Sequence, residues 1–260
     1  MRIKILASGS KGNATLIETK NTKILIDVGL SYMELRKRLA LVQTDIDDIS
    51  AILITHEHTD HIKGLNTYLK RHRIPVYLSN GSYHAIVKEK EIGENHRKFV
   101  IIEEDQLVQF EDFYFHPFLV SHDAYEPLGF SIYEGGKKLV YLTDTGFVSK
   151  QNEERIRNAD IYILETNHNV EMLMETNRPW YLKQRILSDF GHLCNEDAFN
   201  VLSRVRGEST KYVYLAHISE EANSLDLLKL SVKEYYKQEE DYRLNFFIAY
   251  QHQTSEIVEI

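Results

Sequence analysis

The stretch Ala51-Ile52-Leu53-Ile54-Thr55-His56-Glu57-His58-Thr59-Asp60-His61 decides the fold. Ala51 to Ile54 is a short continuous apolar run, the signal of a strand buried on both faces. Beyond the motif, Ile62, Leu65 and Leu69 recur at helical spacing over 62–73. The polar residues between therefore occupy a strand-to-helix loop. At near-extended spacing His56 and His58 point the same way, while Asp60 and His61 fall at the helix start and face a second point beside the first. Two ligands for each of two metal ions is the natural reading. Imidazole and carboxylate suit zinc, manganese or iron, and no thiolate in the motif restricts the choice to soft metals. Surface histidines in a polar turn are a poor account of three His and one Asp within six residues. A zincin helix fails on register, because H-E-x-x-H needs His at 56 and 60 and position 60 is Asp.

Composition sets the frame around this motif. The 260 residues are 43% hydrophobic and 27% charged with only 4 Pro, so nothing divides them by a linker, and one domain over 1–260 is expected. The single Cys194 excludes an internal disulfide framework and fits a reducing compartment. The apolar stretch within 1–10 is interrupted by Lys4 and is too short for a signal-peptide core, and no run approaches membrane-spanning length, which points to a cytoplasmic protein. A net charge of −8 argues against a broadly basic nucleic-acid surface and leaves only local patches. Candidates are Lys63, Lys70, Arg71 and Arg73, which also read as a solvated helix face, and Arg178, Lys183 and Arg185, where Trp180 and Tyr181 interleave the charges.

Strands are expected over 2–7, 15–19, 23–27, 75–78, 99–102, 106–110, 113–120, 160–165, 211–215, 243–250 and 256–260, with a hairpin over 129–133 and 138–142. The loop Ser8-Gly9-Ser10-Lys11-Gly12-Asn13 is either a plain hairpin turn or an anion nest in which Ser10 and Asn13 contact substrate. Helices are expected over 31–41 with a Ser31/Glu34 capping box, 82–90, 152–157, 178–190 with Pro179 in the first turn, 195–206 capped by Asn195, and 223–238. Asp27 closes its strand, and His122, Asp144 and His217 each stand just past a strand end. The echo between Ile-Leu-Ile-Asp-Val-Gly (24–29) and Val-Tyr-Leu-Thr-Asp-Thr-Gly (140–146) suggests two βα halves with matching strand ends. Asp-Thr-Gly also occurs in aspartic proteases, but their chemistry needs a second such aspartate, and there is none.

H-x-H-x-D-H after a buried strand resembles the metallo-β-lactamase superfamily. Within it, Ser8-Gly9-Ser10-Lys11-Gly12-Asn13-Ala14, Val-Ser-His-Asp-Ala at 120–124 and Gly191-His192-Leu193-Cys194-Asn195-Glu196-Asp197-Ala198 are similar to the YycJ group, also called WalJ or VicX. The resemblance implies an αβ/βα sandwich, two facing β-sheets with helices on the outer faces. It implies His56, His58 and His122 on one metal, Asp60, His61 and His217 on the other, and Asp144 bridging, with Asp27 supporting the metal loop through hydrogen bonds. Two such ions, Zn²⁺ or Mn²⁺ with Fe as a further option, typically lie about 3.5–4 Å apart and activate water for hydrolysis. Asp60 then also helps hold the attacking oxygen, and His192 stabilises the phosphoryl charge or protonates the departing oxygen. The implied activity is that of a nuclease, an exonuclease acting on DNA. A glyoxalase-II type thioesterase or lactonase, or a hydrolase of small cyclic phosphodiesters, is the alternative; the former shares the seven ligands but does not require His192. The redox di-iron branch has Glu in place of His58, and the span from 144 to 192 is too short for the inserted domain of β-CASP ribonucleases.

Overall fold

Strands that read as unbroken apolar runs need cover on both faces. In the computed structural model, which describes residues 1–92, 96, 98–240 and 242–260, they have it. Two seven-stranded sheets face each other. The first runs, edge to edge, Val258–Glu259, Arg2–Ala7, Ala14–Glu18, Lys23–Ile26, Ala51–Leu53, Val76–Leu78, Phe99–Ile101. The second runs Val108–Phe110, Phe113–Leu119, Leu128–Glu134, Lys137–Leu142, Ile161–Glu165, Tyr212–Ala216, Asn245–Ile248. In both, pairing is antiparallel up to the fourth strand and parallel beyond it. The echoing segments are these two fourth strands, Lys23–Ile26 and Lys137–Leu142, so the sequence echo marks corresponding places in the two sheets.

Alternation along each strand divides the core. Ile24, Ile26 and Leu53 point between the sheets and pack in one cluster with Phe130, Ile132, Tyr141 and Ile163 of the second sheet. Leu25 and Ile52 point outward against Leu35, Leu39, Leu65 and Tyr68 on the covering helices. On the far face, Val140, Leu142, Tyr162 and Leu164 meet Ile156, Phe199, Leu202 and Leu228. Each fully buried Leu or Phe contributes roughly 1.5–3 kcal/mol, so the layered sandwich is what this strand composition stabilises. The architecture is the αβ/βα sandwich that the motif implies.

Several element boundaries differ from expectation, each for a local reason. The helix expected over 62–73 is two pieces, Thr59–Ile62 and Leu65–Leu69, broken at Gly64, whose N–H donates to Val28 O (2.8 Å). That over 82–90 is a turn of α-helix, Asn80–Tyr83, running into the π-helical His84–Glu89. That over 178–190 is only Trp180–Leu187, with Pro179 as its cap and a tight turn folding back after Ser188. Cys194, not Asn195, caps the helix Asn195–Val205, through its Sγ. Ser31 accepts from Glu34 N (3.3 Å), but the Glu34 carboxylate goes to Arg38 (2.8 Å), so the capping box is half formed. The strands expected over 106–110, 243–250 and 256–260 shorten to Val108–Phe110, Asn245–Ile248 and Val258–Glu259. Among the described residues, no helix is long and apolar enough to cross a membrane.

Candidate metal centre

The strand Ala51–Leu53 delivers the motif to the end of the first sheet, and Asp27, just past the neighbouring strand Lys23–Ile26, holds it there. Asp27 Oδ1 accepts from Thr55 N (2.9 Å), and Oδ2 accepts from Thr55 Oγ1 (2.8 Å) and His61 Nδ1 (2.7 Å). With Nδ1 committed to a carboxylate, His61 keeps Nε2 as its ligand nitrogen. Asp27 (φ 61°), Asp144 (φ 56°) and His217 (φ 51°) all sit in the left-handed region, a backbone cost of about 1–2 kcal/mol each that recurs at functional strand ends. Gly29 lies so close to the Asp60 carbonyl that any side chain would collide with it.

The four groups of the motif meet those of the second sheet across a short gap. His56 Nε2 is 3.0 Å from His58 Nδ1, and the His122 ring lies 5.1 Å from both of theirs. His61 Nε2 is 3.4 Å from Asp60 Oδ2 and 3.4 Å from Asp144 Oδ2, and His217 Nε2 is 3.7 Å from Asp60 Oδ2. Asp144 Oδ1 reaches towards the other group, 3.9 Å from His122 Nε2. One ligand atom each of His56, His58 and His122, and one each of Asp60, His61 and His217, lie within 4.8 Å of one another. The donor set fits a divalent cation on a further observation: Asp144 Oδ2 and His217 Nε2 are buried without any hydrogen-bond partner, a cost that bound cations would remove.

Charge in the cluster follows the same logic. Burial holds His56 and His122 below the usual imidazole range, so both are neutral and ready to ligate. Burial also works against protonation of His61, yet Asp144, Asp27 and Asp60 outweigh it and push its pKa well up. His217 is raised to about 10, burial being overcome by Asp144, Asp60 and Glu165. Asp60, despite burial, is held below the carboxylate range by His61 and His217. The protons on His61 and His217 offset the carboxylates, and a divalent ion in their place would release them.

Glu165 completes the second half, and the sequence reading missed it. It is the last residue of Ile161–Glu165 and fully buried. Its Oε1 accepts from His217 Nδ1 (2.9 Å) and His192 Nδ1 (2.8 Å), and its Oε2 from Thr145 N (2.9 Å) and Leu193 N (3.3 Å). Four N–H donors use up its acceptor capacity, so although it lies within ligand distance of Asp144, His192 and His217, Glu165 orients imidazoles rather than binding an ion. A carboxylate closing a buried parallel strand, as Asp27 and Asp144 do in their echoing segments, is the signal that would have found it. His192 follows the turn after Trp180–Leu187, its N–H on Ile186 O (3.0 Å), and His122 Nδ1 meets Gly191 O (3.1 Å).

The expected ligands His56, His58, Asp60, His61, His122, Asp144 and His217 are thus brought together, with His192 beside them. Asn13, expected as a substrate contact if the loop is an anion nest, is fully buried, and its Nδ2 lies 3.2 Å from Asp60 Oδ2 and 3.1 Å from His61 Nε2, so it stands against the motif. Ser10 is exposed on the glycine loop. Lys183 leaves the basic patch, since its side chain is buried and Nζ donates to Met174 O (2.6 Å). Arg178 is paired with Glu221 (2.9 Å), while Trp180 (58%) and Tyr181 (72%) are exposed. His168 is buried with both ring nitrogens unpartnered.

Two facing mixed sheets with this His and Asp cluster at their strand ends define a metal-dependent hydrolase. The chain belongs to the β-lactamase superfamily, whose domain model matches residues 22–218. It is 39% identical over 236 residues to exodeoxyribonuclease YycJ of Bacillus anthracis, covering 90% of this chain and 88% of that one. Exodeoxyribonuclease WalJ of Streptococcus pneumoniae is 39% identical over 232 residues, covering 89% and 86%. In structure, the metallo-β-lactamase fold protein YhfI of Bacillus subtilis superimposes over 100% of this chain and 99% of that one, with a TM-score of 0.74 at 17% identity.

Proposed function

We propose that the chain is a nuclease that hydrolyses the phosphodiester bonds of DNA from an end. His56, His58 and His122 would hold one divalent ion, Asp60, His61 and His217 a second, and Asp144 would stand between them. Zn²⁺ or Mn²⁺ ions held there would supply activated water at neutral pH and Lewis-acid stabilisation of phosphoryl charge. Asp60, partly exposed at the cluster edge, would also accept a hydrogen bond from the attacking oxygen.

The observation that carries this reading is the single oxygen of Glu165 that binds both His217 and His192. One of these imidazoles belongs to the ligand set and the other does not, and both are turned by the same carboxylate towards the same cluster. With Nδ1 on Glu165, His192 has only Nε2 left for substrate, where it places a proton on the departing 3′ or 5′ oxygen or stabilises the phosphoryl oxygens. The thiolate of a thioester departs without a proton from a second imidazole so placed. The two relatives named exodeoxyribonucleases match over most of their length, which supports DNA as substrate.

The test is a cleavage assay with purified protein, loaded separately with Zn²⁺ and Mn²⁺. Single- and double-stranded DNA and RNA of one sequence, labelled at either end, are compared with a glyoxalase-type thioester. Metal-dependent release of nucleotides from a DNA end is expected. Thioester turnover with no cleavage of any nucleic acid would overturn the reading.

A further inference from the structure

Arg185, in the last turn of Trp180–Leu187, is a half-exposed cation held against the metal centre. Its Nε pairs with Asp123, the residue after His122, and Asp123 Oδ1 lies 3.5 Å from His122 Nε2. The guanidinium therefore stands one carboxylate away from a candidate metal ligand. Its Nη1 and Nη2 donate to no protein group among the described residues, so the paired N–H fork that suits phosphate is left facing outward. Asp123 fixes the fork by taking Nε, and Asp123 is itself held through its own N–H on Phe190 O (3.1 Å).

The side chain of Phe190 is 61% exposed, one residue from Gly191, whose carbonyl meets His122 Nδ1. A fixed guanidinium at the end of the helix and an exposed ring on the turn that follows match the two faces of a nucleotide: a phosphate that needs a fork and a base that needs a flat apolar partner. Two backbone hydrogen bonds close the turn, Gly191 N on Ser188 O (2.8 Å) and His192 N on Ile186 O (3.0 Å).

We propose that Asp123, Arg185 and Phe190 form a subsite for the nucleotide next to the scissile bond of a single-stranded DNA end. Arg185 binds the adjacent phosphate, Phe190 stacks on the base, and Asp123 is a positioning residue that aims the guanidinium. This rests on the phosphodiesterase reading and adds to it a requirement for a second phosphate and an unpaired base.

The experiment uses the Mn²⁺-loaded full chain and two substrates. One is thymidine 5′-(p-nitrophenyl phosphate), with a single phosphate; the other is a single-stranded oligothymidylate. Arg185→Met should raise the ratio of oligonucleotide KM to single-phosphate KM about tenfold or more, as expected for a lost charge-assisted contact. It should also lower the salt slope of oligonucleotide KM by about 0.7. Arg185→Lys, which keeps the charge and protects against a folding artefact, should keep the salt slope and lose part of the KM advantage. Asp123→Asn should fall between the two. Phe190→Ala should raise KM on the oligonucleotide, and that penalty should vanish on one that is abasic at the nucleotide beside the scissile bond. An unchanged KM ratio in Arg185→Met, or equal penalties for Phe190→Ala with and without the base, overturns the subsite. Wild-type protein that cleaves double-stranded DNA but not the oligothymidylate overturns the subsite, and one that cleaves neither of these substrates nor double-stranded DNA overturns the phosphodiesterase reading beneath it.

Discussion

The first sheet delivers His56, His58, Asp60 and His61 from one loop, whereas the second delivers His122, Asp144, Glu165, His192 and His217 from separate strand ends and one turn. Both halves solve the same physical problem. In each, a buried carboxylate takes the Nδ1 of a histidine and leaves its Nε2 for the cluster, Asp27 for His61 and Glu165 for His217. The difference is what else the carboxylate holds. Asp27 reaches across to a single loop, binding Thr55 and His61 of the motif, while Glu165 ties His217 to His192. The first half is thus a self-contained clamp, and the second couples a candidate ligand to a candidate acid.

The largest expected effect breaks the join between the halves. Asp144 reaches both groups, so if the proposed pair of ions is bound, Asp144→Ala should lower bound metal towards one ion per chain, and turnover should fall on the order of a thousandfold or more. Elemental analysis alongside the DNA assay checks both; a variant with full metal and full activity would show that Asp144 bridges nothing.

His192→Ala tests the second half alone. Metals and most of the substrate affinity should stay, while turnover on DNA drops about a hundredfold or more, as for a lost general acid or charge stabiliser. The loss should shrink on a p-nitrophenyl ester, whose leaving group departs without a proton. Equal losses on both substrates would favour charge stabilisation, and full activity would take His192 out of the reaction.

The two carboxylates can then be compared directly. Asp27→Asn and Glu165→Gln should each weaken metal binding about ten- to a hundredfold, because both orient a ligand. Only Glu165→Gln should also depress turnover at saturating metal, through His192. Identical behaviour of the two variants would mean that the link to His192 is structural.

This contrast also explains what was legible beforehand. The first half could be read because its ligands are contiguous and follow an apolar strand whose period and length are unambiguous. In the second half, His122, Asp144 and His217 rested on the superfamily resemblance, since one histidine past one strand carries no pattern. Glu165 went unread because its four partners come from 145, 192, 193 and 217, proximities that only the parallel pairing of Lys137–Leu142, Ile161–Glu165 and Tyr212–Ala216 creates. The place of Asn13 against the motif is not legible because a glycine loop looks exposed in sequence, and its proximity to Asp60 and His61 arises only in the fold. Lys183 was placed with surface cations because its spacing does not reveal that it turns back to the Met174 carbonyl.

A smaller effect appears in the metal-free protein. His217 titrates near 6.5 in an unfolded chain and at about 10 in the folded one. The stability from its extra proton is fully present below about pH 6.5 and is lost as pH rises through 10. Urea unfolding of metal-free protein should therefore show stability falling across that window, less steeply in His217→Asn, where His61 alone still contributes. A flat profile in the wild type would show that the carboxylates do not hold that proton.

The smallest effect concerns Arg178 and Trp180, at the start of the helix Trp180–Leu187. Trp180 is exposed and free to stack on a base, and base–aromatic stacking is worth about 1–3 kcal/mol by alanine substitution, so Trp180→Ala should weaken single-stranded DNA binding by about tenfold. Arg178 is already paired with Glu221, so Arg178→Ala should cost less than that and should show chiefly as a shallower salt dependence. Neither change touches the residues that Asp27 or Glu165 orient, so turnover at saturating DNA and metal content should hold in both. Binding measured at several salt concentrations separates the two contributions, since stacking is insensitive to salt and a phosphate contact is not. If affinity and salt slope are the same in the double variant as in the wild type, these residues are a solvated helix face, and DNA is held by the cluster and its immediate rim alone.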